Sequence, residues 1–192
     1  MLKQKHFLIS FAFLFAFLIP SAQLKLPINN GFQNDVETIL KDYPNSFRQY
    51  LGEELVTNPQ STDYTSLLKV SGSEECRITK YPGKKRNRYS FQAVMLTTDD
   101  FESAKSSFHN FYIQLNHLAI HMSGSRTFQL QGVYESPSEE KKFTSAIFSG
   151  GEDIKQLKVE LLMEYVLMEW KIKVLVYERE REDDERGETK TE

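Results

Sequence analysis

The sequence predicts an α+β fold: an antiparallel sheet of about six to seven strands, with a long amphipathic helix at about 99–122 and a short N-terminal helix packed on it. Two patterns predict it. Apolar residues recur at spacings of three and four from Phe101 to Met122, the period of one helix face. Along residues 89–95 and 170–176 apolar and polar residues alternate, the period of a half-buried strand.

Residues 1–22 divide as a secretory signal does. Lys3, Lys5 and His6 precede an apolar run over 7–19 that only Ser10 interrupts. That run is 13 residues, short of the roughly 20 that cross a bilayer, so removal rather than anchoring is expected. Ser21 and Ala22 supply small residues for a cut after Ala22. The leader resembles those of bacterial exported proteins, which implies a periplasmic or secreted product. No Cys stands near the junction, so lipid anchoring is not expected, and no second long apolar run follows as a transmembrane segment.

The expected single domain covers 23–177. Phe32, Val36, Ile39 and Leu40 mark a helix over 31–41, with Asn30 as cap and Asp42-Tyr43-Pro44 as stop. Residues 45–61 mix apolar residues, Pro59 and polar residues without a period, and read as irregular chain over the core. Alternation from Tyr64 to Val70, a turn at Ser71-Gly72-Ser73, a strand through Cys76 and Ile78, a longer turn over 81–87 and a strand to Thr97 make a three-stranded meander. Asp99 and Glu102 have capping-box spacing before the long helix. Its end is ambiguous, because 118–122 fits either the helix or a strand turning at Ser123-Gly124-Ser125. Residues 127–134 and 143–149 read as strands around Pro137. Residues 157–177 read as a hairpin turning between Val166 and Glu169, since Val and Ile beside Lys171 and Lys173 suit a strand better than a helix. The tail, 178–192, carries eight acids and four bases without an apolar face and is expected to be disordered.

Composition excludes whole classes. With 40% hydrophobic residues, one Cys, nine Gly and six Pro, the chain is neither disordered, nor a disulfide scaffold, nor fibrous. Without leader and tail, 18 basic residues face 19 acidic ones, a balance unlike that of a nucleic-acid-binding domain.

One cluster stands out as a binding candidate: Lys80, Lys84, Lys85, Arg86 and Arg88, flanked by Tyr81 and Tyr89, with no acid among them. At about 1 kcal/mol per basic residue, five such residues would hold an anionic surface only weakly, so a solvated turn is the first reading. His117 and His121 stand four apart but opposite the apolar stripe of the helix, and no Glu follows His117 as a metalloprotease requires. Cys76 alternates with Ile78 and reads as core. Ser66–Lys69 and Ser138–Lys141 share the S-x-x-K spacing but lack its companion motifs and its helical setting. Paired acids such as Glu53-Glu54 and Glu74-Glu75 fall in turns, and Trp170 reads as core. No catalytic residue, metal or cofactor is implied. The expectation is a non-catalytic exported module that binds an anionic surface, a polysaccharide or another envelope protein through the 80–89 hairpin or an uncovered sheet face. A small hydrolase assembled from residues distant in sequence is the alternative.

Overall fold

The computed structural model describes residues 30–83, 86–122, 126–150 and 157–178. Residues 1–29, Lys84 and Lys85, residues 123–125, residues 151–156 and residues 179–192 lie outside that set, and with them the expected leader and the expected disordered tail beyond Glu178.

Helix α1 (Asn30–Asp42) forms where Phe32, Val36, Ile39 and Leu40 fall on one face, and all four are buried. It begins at Asn30 itself rather than being capped by it, and yields at Pro44 to a tight turn, Tyr43–Asn45. Strand β1 (Leu51–Asn58) follows, where irregular chain was expected. Most of its side chains are exposed on both faces, so no alternation marks it; pairing with β2 (Ser61–Ser66) makes it a strand. Strands β2, β3 (Glu75–Tyr81) and β4 (Arg88–Thr98) give the expected meander, although β2 stops at Ser66, before Leu68 and Val70. Gly72 turns the chain at φ 82°, a conformation costly for residues with a Cβ.

Helix α2 (Phe101–Asn116) is capped by Asp100, not Asp99: the Asp100 carboxylate accepts the Glu102 N–H at 3.1 Å. It also ends well before 122. At the cap His117 the backbone has left the helical region, and strand β5 (Ala119–Met122) pairs with β6 (Arg126–Gln129). The strand wins because Leu118 and Ile120, two apart, both enter the core, which a helix would place on different sides. After β7 (Gln131–Gly132) come β8 (Phe143–Ser149), β9 (Leu157–Val166) and β10 (Glu169–Glu178). Glu178, assigned to the tail from sequence, closes the β10 ladder opposite Leu157.

Among the described residues the sheet has eight strands in the order β1-β2-β3-β4-β10-β9-β8-β7, every neighbouring pair antiparallel, plus the separate β5–β6 hairpin. That exceeds the six to seven expected, because β1 joins the sheet where irregular chain was expected, while the strand expected over 127–134 is divided at Leu130 into β6, in the separate hairpin, and β7, in the sheet. Two meanders, β1–β4 and β7–β10, meet where β10 pairs with β4. One face carries the core: Ile78, Phe91, Ala93, Ala146, Phe148, Val159, Leu161, Met163, Ile172, Val174 and Val176 are buried, beneath Ala104, Phe108 and Leu115 of α2 and the apolar face of α1. The core shows tilted aromatic contacts such as Phe32–Phe111 and Phe47–Phe91, with centroids 5.1 and 6.1 Å apart. No described helix is long and apolar enough to cross a membrane.

Candidate functional site

The basic hairpin lies between β3 and β4. Strand alternation puts Lys80, two residues from buried Ile78, on the core face and Arg88, opposite Tyr81, on the other. Arg86 is ion-paired with Glu178, and Lys84 and Lys85 fall outside the described residues. This end of the sheet also holds Tyr43. Burial raises the Tyr43 phenol to about 12, the Glu178 carboxylate adding to the shift and Arg86 opposing it, so the group keeps its proton at neutral pH.

The other sequence candidates resolve into structural roles. Cys76 is buried, with its Sγ 3.4 Å from the Val70 N–H and 3.2 Å from the Ser73 hydroxyl. His121 is on β5 and His117 caps α2, so the two do not share a helix face. No group of three or more His, Cys, Asp or Glu positioned for a metal occurs among the described residues. The Ser66 hydroxyl bonds to the Leu68 carbonyl at 2.8 Å, and Lys141 is paired with Glu135. Glu74 accepts from the Thr97 N–H and hydroxyl at 2.8 and 2.7 Å, holding the chain before β3 to the end of β4. Trp170 is buried against Phe101 and Tyr165, with centroids 5.1 and 4.9 Å away.

A shallow cleft of about 370 Å³ is lined by Pro44, Asn45, Ser46, Arg48 and Gln49. Ser46 and Phe47 are both left-handed, at φ 60° and 54°. Buried Asp42 supports the loop: its Oδ1 accepts from the Asn45 and Gln49 amides at 2.9 and 2.7 Å. The two amides are thereby committed to the loop's own architecture.

The feature that sequence reading located without recognising is the β9–β10 turn. Val166 pairs with Glu169, leaving a two-residue loop of Leu167 and Met168 at φ 55° and 67°. Two consecutive positive φ values are the requirement of a type I′ turn, which Asn-Gly meets readily and Leu-Met does not. A left-handed residue with a Cβ costs about 1–2 kcal/mol, and packing does not compensate here, since Leu167 is 85% and Met168 78% exposed. Val166 extends the apolar tip, and behind it lies the Tyr165–Trp170–Phe101 cluster, with Lys142 Nζ 4.3 Å from the Tyr165 centroid and Lys105 Nζ 5.6 Å from that of Phe101. Charge at this end is mixed: Lys105, Lys142 and Lys171 share it with Asp99, Asp100, Glu102 and Glu169. The only sequence signal was a hairpin that lacked turn-forming residues.

No protein-family model matches the chain, and no curated protein or solved structure matches it.

Proposed function

We propose that this protein is a non-catalytic, exported binding module that docks a partner protein through the tip formed by Val166, Leu167 and Met168. The supporting observation is the pair of large apolar side chains held out to solvent on a backbone that neither suits. Strain that stabilises nothing in the isolated fold is characteristic of contact sites. Fully burying such a side chain contributes about 1.5–3 kcal/mol, so the two tip residues supply at most about 6 kcal/mol, a transient contact rather than a permanent one. Mixed charge around the tip, with Lys171 lying between Glu169 and its cross-strand partner Glu164, suits a protein surface better than an anionic bilayer.

A photo-crosslinking side chain at position 168, with one at exposed Thr57 as control, tests this in the native host. A discrete protein adduct from 168 alone, abolished by Leu167→Asp, is expected. Equal adducts from both positions, or recovery of the protein with anionic vesicles in a manner abolished by Leu167→Asp, overturn the reading.

A further inference from the structure

Three aromatic rings close the end of the sheet behind the β9–β10 turn. Phe101 opens α2, and Tyr165 and Trp170 are paired across the β9–β10 ladder. Ring centroids lie 5.1 Å apart for Phe101–Trp170 and 4.9 Å apart for Tyr165–Trp170, with planes inclined at 56° and 51°, so the cluster presents angled faces rather than one flat stack. The face of an aromatic ring carries the negative part of its quadrupole and attracts a cation, the more strongly as water is excluded.

Two ammonium groups from different segments already answer that attraction. Lys105 Nζ lies 5.6 Å from the Phe101 centroid, and Lys142 Nζ lies 4.3 Å from that of Tyr165 and 5.5 Å from that of Trp170. A single ammonium is thus shared by two rings. Its neighbour Lys141 pairs with Glu135, yet among the described residues no carboxylate pairs with Lys142. The Lys142 backbone is fixed, because its carbonyl accepts the Tyr165 N–H at 2.9 Å. It is fixed in the left-handed region, at φ 56°, where Gly or Asn is the usual occupant and Lys is strained. That position sets the stem of a long cationic side chain beside the ring faces. Trp170 is buried, whereas Lys142 is exposed and Tyr165 half-buried, so the ammonium lies on the solvent side of the rings and leaves them by rotation of its own stem.

We propose that the faces of Tyr165 and Trp170 form a binding site for a quaternary ammonium group, with Lys142 as its resident plug. The chemistry selects this class of ligand. A primary ammonium is compact and strongly hydrated, so much of its attraction to a ring is offset by lost water. A trimethylammonium group spreads the same charge over its methyl groups, sheds less water and fills the angle between inclined rings with apolar contact. It displaces Lys142 without needing a carboxylate. The site is independent of the contact proposed at Leu167 and Met168, since neither residue contributes to the ring faces.

The chain has one Trp, so its fluorescence reports the site directly. Titration with choline chloride at constant ionic strength is expected to change the emission saturably in the millimolar range, the strength of two cation–ring contacts. Dimethylbutanol, the uncharged isostere of choline, should leave it unchanged. Lys142→Gly removes the plug and suits φ 56°, so it binds choline at least about fivefold tighter than wild type while circular dichroism stays native. Tyr165→Leu in that background abolishes the response; if this variant unfolds, the choline and dimethylbutanol titrations of Lys142→Gly still decide. Phosphatidylcholine vesicles distinguish the source: a response to vesicles as well as choline assigns a lipid headgroup, and a response to choline alone assigns a free ligand. The absence of a saturable response of Lys142→Gly to choline overturns the proposal, as does an equal response to dimethylbutanol. Equal choline affinity of wild type and Lys142→Gly also overturns it, since Lys142 would then not occupy the site.

Discussion

Glu37 on α1 reaches His121 on β5: one carboxylate oxygen accepts the His121 backbone N–H at 3.0 Å and lies 3.3 Å from its Nδ1. The same oxygen is 2.9 Å from Lys41 Nζ, so a single side chain joins the β5–β6 hairpin to the helix. Burial works to raise the Glu37 carboxyl, but the His121 N–H, Lys41 and the His121 ring together hold it below its ordinary value of 4.5.

A carboxyl lowered in the fold adds stability above its ordinary pKa and loses it as pH falls through the folded value. Denaturant unfolding of the wild type is therefore expected to weaken as pH drops below 4.5, and Glu37→Gln to flatten that part of the profile. Parallel acid profiles for the two proteins would assign the decline to other groups.

Tyr43 makes the opposite case at high pH. Its phenol ionises at about 12 in the fold, above its ordinary 10.0, so its contribution is complete below pH 10.0 and disappears as pH rises to about 12. Alkaline unfolding followed by fluorescence should show Tyr43→Phe less sensitive than wild type across that window. Equal slopes would mean that neither burial nor Glu178 raises the Tyr43 phenol in the fold.

The β9–β10 turn gives a prediction of opposite sign to most substitutions. Leu167→Asn with Met168→Gly puts residues suited to positive φ where Leu and Met are strained, and removes no buried contact. The double variant is expected to be more stable by about 1–3 kcal/mol in urea unfolding while losing the crosslink at the tip. No gain in stability would show that the turn is relaxed with Leu and Met in place.

On α2 the two faces separate cleanly. Phe108 is fully buried beneath the aromatic layer, so Phe108→Ala is expected to cost about 3–5 kcal/mol. Ile113, exposed on the same helix, should tolerate Ala within about 0.5 kcal/mol. Comparable losses at both positions would place a second packing surface on the outer face of the helix.

Much of the architecture was legible because the period of a buried face is written locally. Phe32 to Leu40 announce α1, Ile172 to Val176 announce β10, and Cys76 and Trp170 follow their alternation into the core. Where a segment satisfies two periods, or neither, local pattern stops deciding. Leu115, Leu118 and Met122 fit a helix, and Leu118 and Ile120 fit a strand; pairing of β5 with β6 decided between them. β1 is exposed on both faces and became visible only through its register with β2.

The candidate contact surfaces were less legible than the fold. The basic residues around 80–88 are neighbours in sequence, yet strand alternation divides Lys80 from Arg88 and a distant residue, Glu178, pairs with Arg86. Leu167 and Met168 fall in the turn that the sequence predicts between Val166 and Glu169, but their exposure is not legible there, because hydrophobicity is a property of the side chain and exposure a property of the whole fold. By itself the sequence determined the class of fold and most of its repeating elements, since these depend on residues a few positions apart. Which face stays bare and which apolar side chains are held in solvent were decided only when strands far apart in the chain paired, because backbone hydrogen-bond partners and burial are assigned by contacts between segments.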